Sequence, residues 1–145
     1  ELLILDDFSL GLDPGYRRLF SDYLRDYARA EGKTVFLTSH IIQDMERLID
    51  DCIIMDYGRI LTQQPVGQLL DTLRRYTCRV PEGYVPRLPE AFHHPSVVRG
   101  VMETCSFLPL AEVERVFAEQ QVPYSELKAE KVNLEDAFIG LTGKY

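Results

Sequence analysis

The chain has 145 residues, of which 46% are hydrophobic and 27% are charged, and this composition is typical of one globular domain or two small ones. Its net charge is −7 and acidic and basic residues are interleaved, which argues against a nucleic-acid partner and against unaided binding to anionic lipid. No apolar run approaches the roughly 18 residues that a membrane-spanning helix requires.

The N-terminal part of the chain predicts a strand, a helix and a second strand. Leu2–Leu5 is an unbroken apolar run, which is typical of a strand buried on both faces of a parallel sheet. Asp13 and Pro14 predict a helix start, as an N-cap followed by proline at the first helical position. Gly32 predicts the end of that helix as a left-handed cap, and residues 34–38 (TVFLT) predict the second strand.

The next segment predicts a helix over residues 41–49 and two short strands, 52–55 and 60–61, joined by a tight turn at Tyr57-Gly58. The alternation of strands and helices predicts a layered α/β domain with a mainly parallel sheet. A helix over 69–75 is expected to lead out of this domain.

The remainder of the chain predicts a smaller α+β appendage. Residues 81–95 contain four prolines and few apolar repeats, so we expect mostly loop. Strands are predicted at 97–101 and 124–128, a helix lies between them, and a last helix capped by Asn133 carries the apolar side chains Leu134, Phe138 and Leu141. The predicted domains are therefore 1–75 and 76–145.

Polar residues follow the first two predicted strands. Asp6 and Asp7 come directly after the first strand, and His40 follows the second. Because ligands of open α/β sheets bind beyond the carboxyl ends of the strands, an acidic pair and a histidine at these positions suit metal-assisted phosphoryl chemistry. The alternative, that these are ordinary loop acids and a polar group at a helix start, is equally compatible with the spacing.

The sequence around these residues resembles that of ATP-binding-cassette (ABC) ATPases. LLILDDFSLGLDP resembles their Walker B and D-loop segment, and TVFLTSH resembles their switch-histidine strand. The resemblance implies that Asp6 holds Mg²⁺, that Asp7 stands at the catalytic glutamate and that His40 contacts the γ-phosphate of ATP. It also assigns the D-loop of the dimer interface to Leu10, Gly11, Leu12 and Asp13.

Two further segments carry the same resemblance. Residues 44–61 (DMERLIDDCIIMDYGRIL) resemble the family's next helix and its G-R-I hairpin, and residues 133–143 resemble the tail of drug- and polysaccharide-export ATPases. The resemblance implies the C-terminal half of a P-loop NTPase cassette, with ATP and Mg²⁺ as cofactors. It further implies a second cassette as dimer partner, a transmembrane permease, and a location at the cytoplasmic face of the cell membrane.

Two residues depart from the family pattern. Asp7 replaces glutamate, which draws the carboxylate back by about 1.5 Å, and misplacing a catalytic group by about that much can cost a factor of about 100. Phe8 replaces proline. A degenerate or regulatory, non-hydrolysing cassette is therefore the alternative function.

A receiver-type signalling domain is a third reading, because such domains also open with an acidic pair after an apolar strand. It requires a phospho-accepting aspartate and a lysine at later strand ends, where this sequence has His40 and Asp56.

One phosphate-loop candidate fails. Gly32-Lys33-Thr34 resembles the end of G-x-x-x-x-G-K-[ST], but Tyr27 stands where the first glycine is required, and a helix precedes instead of a strand. In the family the P-loop, the signature sequence and the Q-loop all precede Walker B. We therefore expect this chain to be part of a longer protein and not to turn over ATP alone.

Overall fold

The computed structural model describes residues 1–144, so Tyr145, the last residue of the predicted second domain, lies outside the described residues. The chain divides into two compact units, Glu1–Ile49 and the residues from Asp50 onward. The predicted domains 1–75 and 76–145 stay a prediction. Residues 50–75 belong to the second compact unit and pack with its C-terminal elements. For example, the helix Val66–Thr72 contacts the helix Leu134–Thr142.

The first unit contains two parallel strands and two helices: β1 Leu2–Leu5, α1 Pro14–Ala30, β2 Thr34–Leu37 and α2 Met45–Leu48. The predicted ends of α1 are confirmed. The Asp13 carboxylate accepts hydrogen bonds from the backbone N–H groups of Gly15 at 3.0 Å and Tyr16 at 3.1 Å, and Gly32 has a φ of +58° beyond the last turn. The helix α2 is shorter than the predicted 41–49.

The second unit begins with β3 Asp51–Asp56, β4 Arg59–Pro65 and α3 Val66–Thr72. It continues with a four-stranded antiparallel sheet of spatial order β6-β7-β5-β8 and two helices: β5 Arg74–Arg79, β6 His93–Val98, β7 Val101–Ser106, α4 Leu110–Glu119, β8 Ser125–Lys131 and α5 Leu134–Thr142. Strand β5 was missed because a helix was predicted through residue 75 and a loop soon after it.

The α/β content is confirmed, but the structure does not show the predicted mainly parallel sheet. Among the described residues only the β1–β2 pair is parallel, and the other strand pairs are antiparallel. The reason is the length of the connections. Tyr57 and Gly58, with φ of +45° and +75°, turn β3 directly into β4 as predicted, and a two-residue turn can only join antiparallel strands.

The four-stranded sheet of the second unit has a helix on each face. Tyr76, Cys78 and Met102 point to one face and pack with α4 residues Val113 and Phe117, and the buried Tyr76 hydroxyl donates to the carbonyl of Leu108 at 2.6 Å. Cys105 points to the opposite face and meets α5 at Gly140. The apolar side chains of α5 therefore close the core of this unit: Leu134 and Leu141 are buried.

The first unit leaves much of its apolar surface uncovered. Leu2, Ile4 and Phe36, on alternate positions of β1 and β2, are 56%, 69% and 53% exposed. The prediction that β1 is buried on both faces is therefore wrong for the chain as it stands. The aromatic side of α1 is also exposed, including Tyr16 and Tyr23.

Gly140 supplies a test of the packing between α5 and the sheet. A Cβ at this position would overlap the Sγ atom of the buried Cys105 and lie 3.1 Å from its Cβ. We expect Gly140→Ala to lower the free energy of unfolding by about 1–3 kcal/mol, the usual cost of overpacking. Chemical denaturation followed by circular dichroism measures this change.

The matched control is Gly67→Ala in α3, where the added methyl group meets nothing within 4 Å. It should be neutral or stabilising by up to about 1 kcal/mol. The double variant Gly140→Ala/Cys105→Ala should recover part of the loss, because the overlapping sulfur is gone. Equal effects of the two glycine substitutions would contradict the packing described here.

Candidate strand-end site

The parallel pairing of β1 and β2 brings their carboxyl ends together. The register matches Leu5 with Leu37, and the pairing continues beyond both strands. The N–H of Thr38 donates to the carbonyl of Leu5 at 2.9 Å, and the N–H of Asp7 donates to the carbonyl of Thr38 at 3.1 Å. The residues that follow the two strands therefore lie side by side, as the sequence predicts for this edge of an α/β layer.

The hydroxyl of Thr38 links both aspartates. It accepts a hydrogen bond from the N–H of Asp7 at 3.1 Å and donates one to the carboxylate Oδ1 of Asp6. One carboxylate oxygen of Asp6 is thus held by the neighbouring strand. The sequence named Thr38 only as part of the second strand, so this linking role is a finding of the structure.

Asp7 and His40 form a direct pair. The distance between His40 Nδ1 and Asp7 Oδ1 is 2.8 Å, and their side chains are 62% and 44% exposed. An ionised carboxylate can only accept, so Nδ1 carries the proton in this pair and Nε2 is left for another partner. Asp7 has a φ of +46°, an uncommon backbone conformation for a non-glycine residue. The hydrogen bond between Asp7 and His40 thus joins two residues that are 33 positions apart in the sequence. We call Asp6, Asp7, Thr38 and His40 the strand-end site.

The segment after Asp7 forms a turn with Leu10 on its outer surface. The N–H of Leu10 donates to the carbonyl of Asp7 at 3.0 Å, and that of Leu12 to the carbonyl of Ser9 at 3.2 Å. Ser9 is buried, whereas Leu10 is 64% exposed. Gly11 has a φ of +84°, which favours glycine, and Asp13 is occupied as the N-cap of α1.

The cysteines are poor candidates for nucleophiles. Cys52, Cys78 and Cys105 are all buried free thiols, as expected for core residues. Burial raises the pKa of the Cys105 thiol to about 11, with Glu103 adding to the shift, and burial also raises the pKa of Cys52 and Cys78. Raised pKa values keep the thiols protonated near neutral pH, and the thiolate is the reactive form.

A cage of protein ligands for a metal is not found within residues 1–144, where no three His, Cys, Asp or Glu side chains converge on a common point. Mg²⁺ at nucleotide sites is commonly bound by one or two carboxylates together with substrate phosphates. The carboxylate of Asp6 is exposed and is oriented by Thr38, so it could serve as such a single carboxylate ligand. In the same described range, no helix is both long and apolar enough to cross a bilayer.

Comparison with known proteins gives matches over 99% of the chain. It is 34% identical to the Nod factor export ATP-binding protein I of Rhizobium leguminosarum bv. viciae, and 35% identical to the protein of the same name from Rhizobium meliloti. It is 28% identical to the bacitracin transport ATP-binding protein BcrA of Enterococcus faecalis. The matches cover 47%, 43% and 48% of these three proteins, so the chain spans about half the length of its curated relatives. No protein-family model matches the chain.

The chain is a homologue of the C-terminal half of ABC transporter ATP-binding proteins. The strand-end site of this ABC homologue is made of residues that the sequence resemblance had singled out, with Thr38 added by the structure. A side-chain hydrogen bond of ordinary length joins Asp7 at the end of one strand to His40 beyond the end of the other.

Thr38→Val tests how the strand-end site of this ABC homologue is held together. Valine keeps the shape of threonine but removes both hydrogen bonds of its hydroxyl, so we expect a loss of about 1 kcal/mol in the free energy of unfolding. Thr34→Val is the matched control, since Thr34 is an exposed threonine at the start of β2, the strand that Thr38 follows. Denaturant unfolding should separate the two variants; if both behave like the parent, the Thr38 hydroxyl does not hold the aspartates.

Proposed function

We propose that this chain is the C-terminal half of the ATP-binding and ATP-hydrolysing subunit of an ABC exporter. The observation that carries the proposal is the contact between Asp7 and His40 at adjacent strand ends, in a chain that is similar over 99% of its length to export and transport ATP-binding proteins. The export function is suggested by the names of these relatives, which are a Nod factor export and a bacitracin transport ATP-binding protein.

In this proposal each residue of the strand-end site has one task. Asp6 holds Mg²⁺ through its exposed carboxylate while Thr38 fixes the orientation of that carboxylate. The bound ion supplies charge neutralisation at the phosphates of ATP. Asp7 orients the attacking water or accepts its proton, and His40, held by Asp7 through Nδ1, offers Nε2 to the γ-phosphate.

The shorter side chain of Asp7 affects the rate that we expect. Relative to glutamate the carboxylate is drawn back by about 1.5 Å. The structure supports a base of reduced efficiency rather than an inactive residue, because the Asp7 carboxylate still reaches His40 at 2.8 Å. A degenerate cassette would instead show no ATP turnover in the complete protein.

The exposed apolar surface of the first unit supports a larger assembly of strands. Leu2, Ile4 and Phe36 form an uncovered apolar face beside a parallel strand pair, as expected if β1 and β2 belong to a larger, mainly parallel sheet. Burial of each such side chain is worth roughly 1.5–3 kcal/mol. We propose that an N-terminal half with the P-loop supplies this cover and the rest of the ATP site, so the chain alone is not expected to turn over ATP.

The remaining assignments concern partners. The exposed turn with Leu10 and Gly11 is proposed as the D-loop that meets a second cassette in a homodimer. A transmembrane permease is the proposed membrane partner, which would place the subunit at the cytoplasmic face of the cell membrane. Residues 76–145 are proposed as a non-catalytic accessory domain, because their sheet is covered by α4 and α5 and its core is apolar.

Asp7→Asn and Asp7→Glu test the proposed role of Asp7 in the complete protein. Asparagine keeps the shape but cannot accept a proton, so the steady-state rate of ATP hydrolysis should fall by about 100-fold or more. Glutamate should keep or raise the rate, since it restores the reach of the carboxylate.

Nucleotide affinity, measured in parallel, should be similar in the parent and in both variants. Asp71→Asn is a useful control, because Asp71 is an exposed aspartate of α3 that belongs neither to the strand-end site nor to the proposed D-loop. ATP hydrolysis by Asp7→Asn at the parental rate would overturn the proposed role of Asp7, whereas a complete parent protein that binds ATP without hydrolysing it would favour the regulatory cassette.

A further inference from the structure

The contact between Asp7 and His40 is exposed and therefore needs support from the surrounding structure. The two side chains are 44% and 62% exposed. Exposed pairs of this kind gain little free energy, because solvent screens the charges and both side chains lose conformational freedom. The distance of 2.8 Å between His40 Nδ1 and Asp7 Oδ1 thus depends on how the backbone segments that follow these two residues are held.

A less exposed ion pair joins the same two segments a short distance further along the chain. Arg17 lies near the start of α1, ten positions after Asp7, and Asp44 lies four positions after His40. The distance between Arg17 Nε and Asp44 Oδ2 is 3.5 Å, and these side chains are only 16% and 19% exposed. Each of the two segments therefore has a contact to the other at both of its ends.

The local preferences of Arg17 and Asp44 do not account for the ion pair, which indicates a tertiary role. Asp44 occupies the N-cap position of α2, but its side chain makes no capping hydrogen bond and its carboxylate contacts Arg17 instead. The Nε atom of Arg17 is buried and forms no hydrogen bond among the described residues. The carboxylate of Asp44 is therefore the charge that compensates this guanidinium, and removing it would leave a largely buried cation.

Both segments between the two contacts are ordered by local hydrogen bonds. The first contains the turn at residues 9–12 and the capped start of α1. In the second, the N–H of Ile41 donates to the hydroxyl of Ser39 at 3.0 Å. Because neither segment is slack, a displacement at Asp44 would also move His40.

We propose that Arg17 and Asp44 are positioning residues that hold the imidazole of His40 against the carboxylate of Asp7. The ion pair keeps the Nδ1–H of His40 on Asp7 and thereby leaves Nε2 for another partner. The consequence for ATP turnover rests on the proposed function. The consequence for the contact between Asp7 and His40 does not, so the two can be tested separately.

The first test measures the tautomer of His40 in the 145-residue chain by long-range proton–nitrogen NMR. Spectra are recorded well above the ordinary pKa of histidine, about 6.5, and the signals are assigned with His40→Gln. We expect the Nδ1-protonated form to dominate in the parent, because Nδ1–H donates to Asp7. Its share should fall by about twofold or more in Arg17→Gln and in Asp44→Asn, because the imidazole is then free to leave Asp7.

Three variants serve as controls and should keep the parental tautomer. Asp44→Glu retains the negative charge and can still pair with Arg17. Arg29→Gln removes an exposed positive charge from the same helix. Asp26→Asn removes a carboxylate that is 74% exposed and pairs with Arg25 within α1 at 3.6 Å.

The second test is steady-state ATP hydrolysis by the complete protein. Arg17→Gln and Asp44→Asn should each lower kcat by about tenfold, because a small displacement of a catalytic group is costly, while the Kd for ATP stays within about twofold of the parent. A purely structural role would leave kcat per folded molecule unchanged. A changed tautomer with an unchanged kcat would support the positioning of His40 and contradict the proposed role of His40 in hydrolysis.

An unchanged His40 tautomer in folded Arg17→Gln and Asp44→Asn chains would overturn the inference. Where a single variant fails to fold by circular dichroism because its partner charge is left uncompensated, the double variant Arg17→Gln/Asp44→Asn decides. It should show the same tautomer change as the single variants, because each of them breaks the same pair. A double variant that does not fold would also overturn the inference, since the ion pair would then hold the unit together rather than position the histidine.

Discussion

The register between β1 and β2 is the constraint on which the strand-end site depends. Leu5 lies opposite Leu37, and the backbone hydrogen bonds of Thr38 extend the pairing beyond both strands, to Asp7 after β1 and to Thr38 after β2. Only this register puts the carboxylate of Asp7 within 2.8 Å of His40 and the Thr38 hydroxyl next to Asp6. A shift by one residue would turn every side chain to the other face and separate these groups. The chemistry proposed for the site therefore follows from the pairing of two four-residue strands.

Local features with a strong stereochemical preference could be predicted from the sequence. The N-cap at Asp13, the positive φ at Gly32 and the turn at Tyr57-Gly58 each depend on neighbouring residues alone, and each is confirmed. The order and direction of strands in a sheet depend on contacts between residues distant in sequence. The sequence therefore predicted a mainly parallel sheet, whereas only β1 and β2 pair in parallel among the described residues. The strand β5 (RRYTCR) buries Tyr76 and Cys78 but has no apolar run to mark it. The positions of Asp6, Asp7 and His40 at the strand ends could be predicted from the sequence. The hydrogen bonds of the Thr38 hydroxyl to both aspartates could be identified only from the structure.

The two units differ in how completely they bury their apolar side chains. In the second unit the helices α4 and α5 cover both faces of the antiparallel sheet, and its large side chains, such as Tyr76 and Phe117, are fully buried. In the first unit, Ile4 and Phe36 remain exposed on the strands that carry the strand-end site. Large exposed apolar surfaces mark binding sites for other protein segments. This contrast agrees with relatives that are about twice as long as the chain, and it supports the proposal that an N-terminal half completes the sheet and the site.

In the proposed site Asp6 would hold the metal ion of the nucleotide, and the binding of Mn²⁺ together with ATP tests this role. Electron paramagnetic resonance of the complete protein with ATP gives the Kd of Mn²⁺ in the parent, in Asp6→Asn and in the control Asp71→Asn, an exposed aspartate of α3. We expect Asp6→Asn to raise this Kd by about tenfold or more, because a neutral amide would replace the coordinating carboxylate. Asp71→Asn should leave the Kd unchanged. An Asp6→Asn protein that binds Mn²⁺ and ATP as tightly as the parent would contradict the assignment of the strand-end site.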